Sequence, residues 1–153
     1  MMAIISVATI AIFEISVQSN NASSKSLTYQ GQSDPVEQAQ KANDQCNDRP
    51  PAKDGDLSAI IDCAYEHSVA LDDIVEHKCS ELRQILPPAR QLQLTASQQA
   101  WRAAREKRCT PKGKIAMFEV LQVNYCIVDK SILRVEWLDR RIAQAKRDRR
   151  ARR

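Results

Sequence analysis

Three glycines in 153 residues leave few positions for tight hairpins, which argues against a turn-rich sheet and against a glycine-rich phosphate loop. Aromatic residues are as scarce: two Trp, three Tyr and two Phe. So thin an aromatic core gains from covalent staples. No C-x2-C pair occurs, so a zinc ribbon is disfavoured. With only two histidines, and no H-E-x2-H or Ser-His-Asp order, neither a metalloprotease nor a serine hydrolase is indicated. We expect no enzyme, no cofactor and no metal. Cys63 with His67, and Asp73 with His77, do stand at the i, i+4 spacing of helical metal ligands. The two pairs lie more than two turns apart, however, and Cys63 is a disulfide candidate.

What remains is rich in Ala, Leu, Gln, Arg and Lys, the composition of an all-α protein. The apolar run Met1–Phe13 and the polar stretch after it read as a secretory signal peptide over residues 1–19, with Val17-Gln18-Ser19 at the cleavage site. No Lys or Arg precedes the run, and a late start or an uncleaved anchor is the alternative. The absence of a Cys just after the run disfavours a lipoprotein anchor. Residues 20–45 are expected to form a disordered polar leader, residues 46–142 a helical domain and residues 143–153 a basic tail. The expected location is periplasmic or secreted. In that compartment Cys46, Cys63, Cys109 and Cys126 are natural disulfide partners, which leaves Cys79 as a buried, apolar-behaving thiol.

Three long helices with short connections are predicted, as an antiparallel hairpin plus a third helix. The first, Leu57 to Leu86 with Asp56 as N-cap, carries Leu57, Ile61, Ala64, Ser68, Leu71, Val75, Leu82 and Ile85 at three- and four-residue steps. Pro87-Pro88 ends it. The second runs from Pro88 to Arg108, unless Thr95 and Gln98 form a capping box for a later start. The third, Ile115 to Ala145, repeats Phe118, Leu121, Tyr125, Val128, Ile132, Val135 and Ile142. Charge alternates along the chain. Residues 54–81 hold eight acids and one base, and residues 82–114 hold eight bases and one acid. Such polarity orients neighbouring helices more than it stabilises them, since an exposed pair contributes under about 1 kcal/mol.

The segment Gln98 to Cys109 organises the rest. Trp101, Arg105 and Cys109 stand at i, i+4 and i+8 and share one helix face. An arginine turned inward needs a carboxylate, and Asp72 or Glu76 is the expected partner of both Arg105 and Arg134. Trp101 is expected in the core.

Gln98, Trp101, Arg105, Glu106 and Cys109 are similar to the Q-x2-W-x3-R-[DE]-x2-C block of the LprI-like lysozyme-inhibitor family. Cys126, Ser131, Arg134 and Leu138 resemble its C-x4-[TS]-x2-R-x3-L block, and Cys63, Asp72, Val75 and Leu82 its C…D-x2-L…L rhythm. The resemblance spans roughly Cys46 to Ile142. The chain departs from the pattern at Cys79, where the family commonly has Tyr, and at Gly113-Lys114, where it has Gly-Ser. The resemblance implies a small secreted helical module. Together with short loop closures, it favours bridges Cys46–Cys63 and Cys109–Cys126. The alternative is Cys63 with Cys109: they lie 24 residues before and 22 after Pro87, which places both about 33 to 36 Å from the turn.

The function implied is inhibition of lysozyme-type muramidases by occluding their cleft. An acidic face (Asp72, Asp73, Glu76) would steer the cationic enzyme, and a basic turn (Lys112, Lys114) would reach its catalytic carboxylates. The competing reading makes the first a solvated helix face and the second an ordinary loop. Lys146, Arg147, Arg149, Arg150, Arg152 and Arg153 are offered to an anionic envelope polymer or lipid. No nucleic acid is expected, because no aromatic residue is interleaved with them. The alternative function is an envelope interaction module tethered by this tail.

Overall fold

The computed structural model describes residues 34–113 and 115–152. The expected signal peptide, Lys114 and Arg153 lie outside them. Four α-helices are described: α1 (Pro35–Asn47), α2 (Leu57–Ile85), α3 (Pro88–Cys109) and α4 (Met117–Ala151), with a 3-10 turn at Ala52–Asp54 between α1 and α2. Among the described residues there is no strand, and no helix is long and apolar enough to cross a membrane.

The helix α1 corrects the expectation of a disordered leader reaching residue 45. Its start is encoded locally: the Asp34 carboxylate accepts the Val36 N–H at 3.0 Å, and Pro35 occupies the first turn. Its persistence is tertiary. Ala39 is buried with Leu71 and Val128, Val36 packs beside them, and Cys46 is bonded to Cys63. So few apolar positions give no legible period, yet docking them on α2 suffices.

Local signals also set the other boundaries. The Asp56 carboxylate accepts the Ala59 N–H at 3.1 Å and caps α2. Gly55, at φ 88°, closes the preceding turn in a left-handed conformation that other residues seldom adopt. Pro87-Pro88 separates α2 from α3, and Thr95 lies inside α3 with its hydroxyl donating to the Gln91 carbonyl at 3.1 Å, so the later start does not occur. The Glu119 carboxylate accepts the Ala116 N–H at 3.1 Å, at the start of α4.

The interhelical contacts give the directions. Asp72, Lys78 and Glu81 meet Ser131, Asp139 and Lys146 in the same order, so α2 and α4 run parallel. The helix α3 runs antiparallel to both, since Asp72 and Glu76 meet Arg105 and Arg102, and Gln98 and Arg105 meet Arg134 and Ser131. The bridges Cys46–Cys63 and Cys109–Cys126 pin α1 to α2 and α3 to α4. Cys63 is therefore not paired with Cys109, and Cys79 is free and buried.

The buried line of α4 is Leu121, Asn124, Val128, Ser131, Val135, Leu138 and Ile142, which alternates steps of three and four as in a heptad seam. The expected inward residues Phe118 and Tyr125 are instead 58% and 44% exposed. Small polar Asn124 and Ser131 take the inward positions that a hydrophobicity count assigned to aromatics. Val75, Cys79, Leu82, Leu94, Val135, Leu138 and Ile142 form the main core.

Candidate functional site

The family-pattern residues converge where α3 lies over α2 and α4. Both Nη1 and Nη2 of Arg105 donate to the Asp72 carboxylate, the second bond at 2.9 Å, and Nη1 also donates to Ser131 Oγ at 2.8 Å. Ser131 Oγ in turn donates to Asp72 Oδ1 at 3.0 Å. The Arg105 side chain is 10% exposed and that of Asp72 42%, so this is a fork pair at the edge of the core, open to water on its acidic side. The guanidinium carbon lies 4.7 Å from the centre of the Trp101 ring, and the buried Nε has no hydrogen-bond acceptor among the described residues.

One turn up, Gln98 joins all three helices. Its Nε2 donates to Glu76 Oε1 at 3.1 Å, and its Oε1 accepts Arg134 Nε at 3.0 Å. Arg102 also pairs with Glu76. Arg134 is buried, donates to Ser97 Oγ at 3.3 Å, and stacks between Trp101 at 5.4 Å and Trp137 at 4.1 Å. The expected ion pair between Arg134 and Asp72 or Glu76 does not form: among the described residues Arg134 reaches Glu76 only through Gln98. Burial pulls the pKa of Arg134 below the ordinary arginine value, an effect opposed chiefly by the nearby Cys79.

This arrangement links α2, α3 and α4 through side-chain hydrogen bonds. Apart from Arg105 Nε, the polar groups of Asp72, Gln98, Arg105, Ser131 and Arg134 are engaged by a neighbour from another helix. Among the described residues no group of three His, Cys, Asp or Glu could hold a metal. His67 is buried with no hydrogen-bond partner for its Nε2 among the described residues, and desolvation lowers its pKa, opposed by Asp44. His77 is exposed. Burial raises the pKa of the Cys79 thiol, which favours its protonated form.

The expected partner-binding residues divide. Asp72 and Glu76 are committed to the interhelical network, whereas Asp73 is exposed without an ion-pair or hydrogen-bond partner among the described residues. Asp62 and Glu66 are free in the same sense and lie on the Asp73 face of α2, with the exposed Tyr65 and Val69 between them. Lys112 is exposed in the loop between α3 and α4, beside the exposed Ile115, Met117 and Phe118. The base of that loop is closed by Cys109–Cys126.

In the tail, Lys146 is paired with Glu81 at 2.9 Å and Arg147 donates to Gln144 at 2.7 Å. Arg149, Arg150 and Arg152 have no such partner among the described residues. The sequence reading gave no role to Trp137, although Arg134, Trp137 and Arg141 stand at i, i+3 and i+7, a spacing that stacks both guanidinium groups on one indole.

No curated protein and no solved structure matches the chain. The model of one family, lysozyme inhibitor LprI, matches residues 46–138. That span covers all of α2 and α3 and about the first two-thirds of α4, together with both disulfides and the whole of the Asp72–Gln98–Arg105–Ser131–Arg134 network, and the chain belongs to the lysozyme inhibitor LprI family.

Proposed function

We propose that this chain inhibits lysozyme-type muramidases by docking across their cleft, and that it does so by binding, not catalysis, outside the cytoplasm. Family membership over residues 46–138 carries the reading. Two surface features support a division of labour. The stripe of Asp62, Glu66 and Asp73 on α2 presents unpaired negative charge to a cationic enzyme and would raise the rate of encounter. Lys112 and Ile115 of the loop, with Met117 and Phe118 of the first turn of α4, combine an apolar tip with a positive charge, and the disulfide-closed base limits the entropy lost on insertion. A cleft with two catalytic carboxylates is complementary to that pairing. Lys114 belongs to the same proposal.

The test is lysozyme clearance of a cell-wall suspension with increasing amounts of the oxidised chain. Dose-dependent inhibition is expected, with Phe118→Asp abolishing most of it while leaving the helical content unchanged. Absence of inhibition at micromolar concentration by folded protein would overturn the reading.

A further inference from the structure

A cleft of about 790 Å³ opens at the end of the bundle where Pro87 turns α2 into α3, away from the loop between α3 and α4. Its volume lies within the range of small-molecule sites, about 300–1,000 Å³. The apolar part of the lining is the half-buried Ile85, Leu86 and Trp137 over the nearly fully buried Leu82 and Leu94, and Gln93, Ser97 and Gln144 add polar groups. The rim carries Arg90 from the start of α3, Arg141 and Arg149 from the last turns of α4, and Arg152 just past its end. None of the four has a carboxylate within ion-pair distance among the described residues. The one acid of the lining, Asp148, accepts a hydrogen bond from Gln144 at 2.7 Å. The helix α4 continues to Ala151, past the expected end of its periodic part. This continuation holds the tail arginines over the cleft instead of leaving them on a frayed terminus.

We propose that this cleft binds a single-chain anionic amphiphile, with its acyl chain along the leucines and Trp137 and its carboxylate or phosphate among the four arginines. A purely polar anion would leave the aliphatic wall wet, and a neutral hydrocarbon would leave the arginines unmatched. Both halves of the lining are satisfied only by a ligand that joins the two chemistries. Guanidinium forks suit carboxylate and phosphate alike. The site is independent of the lysozyme-docking surface, which lies on α2 and at the opposite end.

Isothermal titration of the full chain tests the proposal, using monomeric palmitate, lysophosphatidate, zwitterionic lysophosphatidylcholine and inorganic phosphate as separate ligands. Saturable one-to-one binding of palmitate or lysophosphatidate is expected; whichever binds more tightly identifies carboxylate or phosphate as the preferred headgroup. Lysophosphatidylcholine should bind about tenfold more weakly or worse, and inorganic phosphate not measurably, since each lost ion-pair set or apolar contact of about 1.4 kcal/mol is a factor of ten. Arg149→Glu with Arg152→Glu, both exposed, should weaken binding at least about tenfold, and Ala145→Trp, which fills the cleft, should abolish it. Neither variant should change lysozyme inhibition. The proposal is overturned by absence of saturable binding to folded protein, by equal binding of the zwitterionic lipid, or by association with anionic vesicles alone that survives Ala145→Trp.

Discussion

Between α2 and α4 the bundle is held mainly by aliphatic side chains, whereas α3, beyond its buried Leu94 and its disulfide to α4, is held to both by guanidinium groups, an amide, a hydroxyl and two indoles. Leu71, Val75, Leu82, Val128, Val135 and Leu138 are buried along the first seam. Arg105, Arg134, Gln98, Trp101 and Trp137 fill the second. Apolar contacts are non-directional, so a heptad seam supplies stability without strongly distinguishing one register from the next. Hydrogen-bonded forks tolerate no slippage, and the second seam fixes where α3 sits. The motif residues Gln98, Trp101, Arg105, Ser131 and Arg134 are thus the ones whose side chains meet between α3 and its neighbours.

The contrast is open to experiment. Leu138, at 0% exposure, lies at the centre of the aliphatic seam, and Leu138→Ala is expected to remove about 2–5 kcal/mol of stability, read as a lower denaturant midpoint with an unchanged slope. A loss below 1 kcal/mol would mean that this seam does not carry the bundle. Gln98→Ala strips Arg134 and Glu76 of their shared partner. A loss of about 1–3 kcal/mol is expected, together with quenching changes at Trp101 and Trp137 that Leu138→Ala does not reproduce at equal stability. Gln98→Glu would restore the acceptor for Arg134 but repel Glu76, and should recover only part of the loss.

His67 offers a smaller effect. Its folded pKa lies below the ordinary 6.5 because burial disfavours the imidazolium. As pH falls through about 6.5 the unfolded chain takes up the proton first. Its contribution is therefore complete above that value and is lost progressively down to the lowered folded pKa. The wild type should lose stability over this window relative to His67→Phe, and parallel curves would show that His67 is not desolvated as described.

The smallest stability change belongs to Asp62→Asn, Glu66→Gln and Asp73→Asn combined, within about 0.5 kcal/mol because none of the three carboxylates holds the bundle. The same triple variant should slow association with lysozyme about tenfold at low salt and hardly at all at high salt. A triple variant that unfolds would return these residues to the bundle.

Much of the helical layout was legible from local signals. Asp56 before Leu57, Pro87-Pro88 and the loop at 110–116 mark the helix limits within a residue or two, except that α4 runs six residues beyond Ala145. Helix formation is governed by nearest neighbours, by caps and by proline, all adjacent in sequence. The inward line of α4 was less legible, because Asn124, Ser131 and Arg134 are polar and Phe118 and Tyr125 are not. A hydrophobic count cannot rank a satisfied Ser131 above an exposed Phe118.

Sequence alone thus determined that the chain is helical, where three of its helices lie, which four cysteines are available to bridge, and which family it resembles. Tertiary structure alone decided that Pro35–Asn47 docks as a further helix, that Arg105 takes Asp72 while Arg134 takes Gln98, and that the tail arginines overhang a cleft with Arg90. These outcomes depend on partners 33 and 36 residues apart in the two arginine contacts. At such separations, burial and geometry choose among several carboxylates and amides that look equivalent in the linear chain.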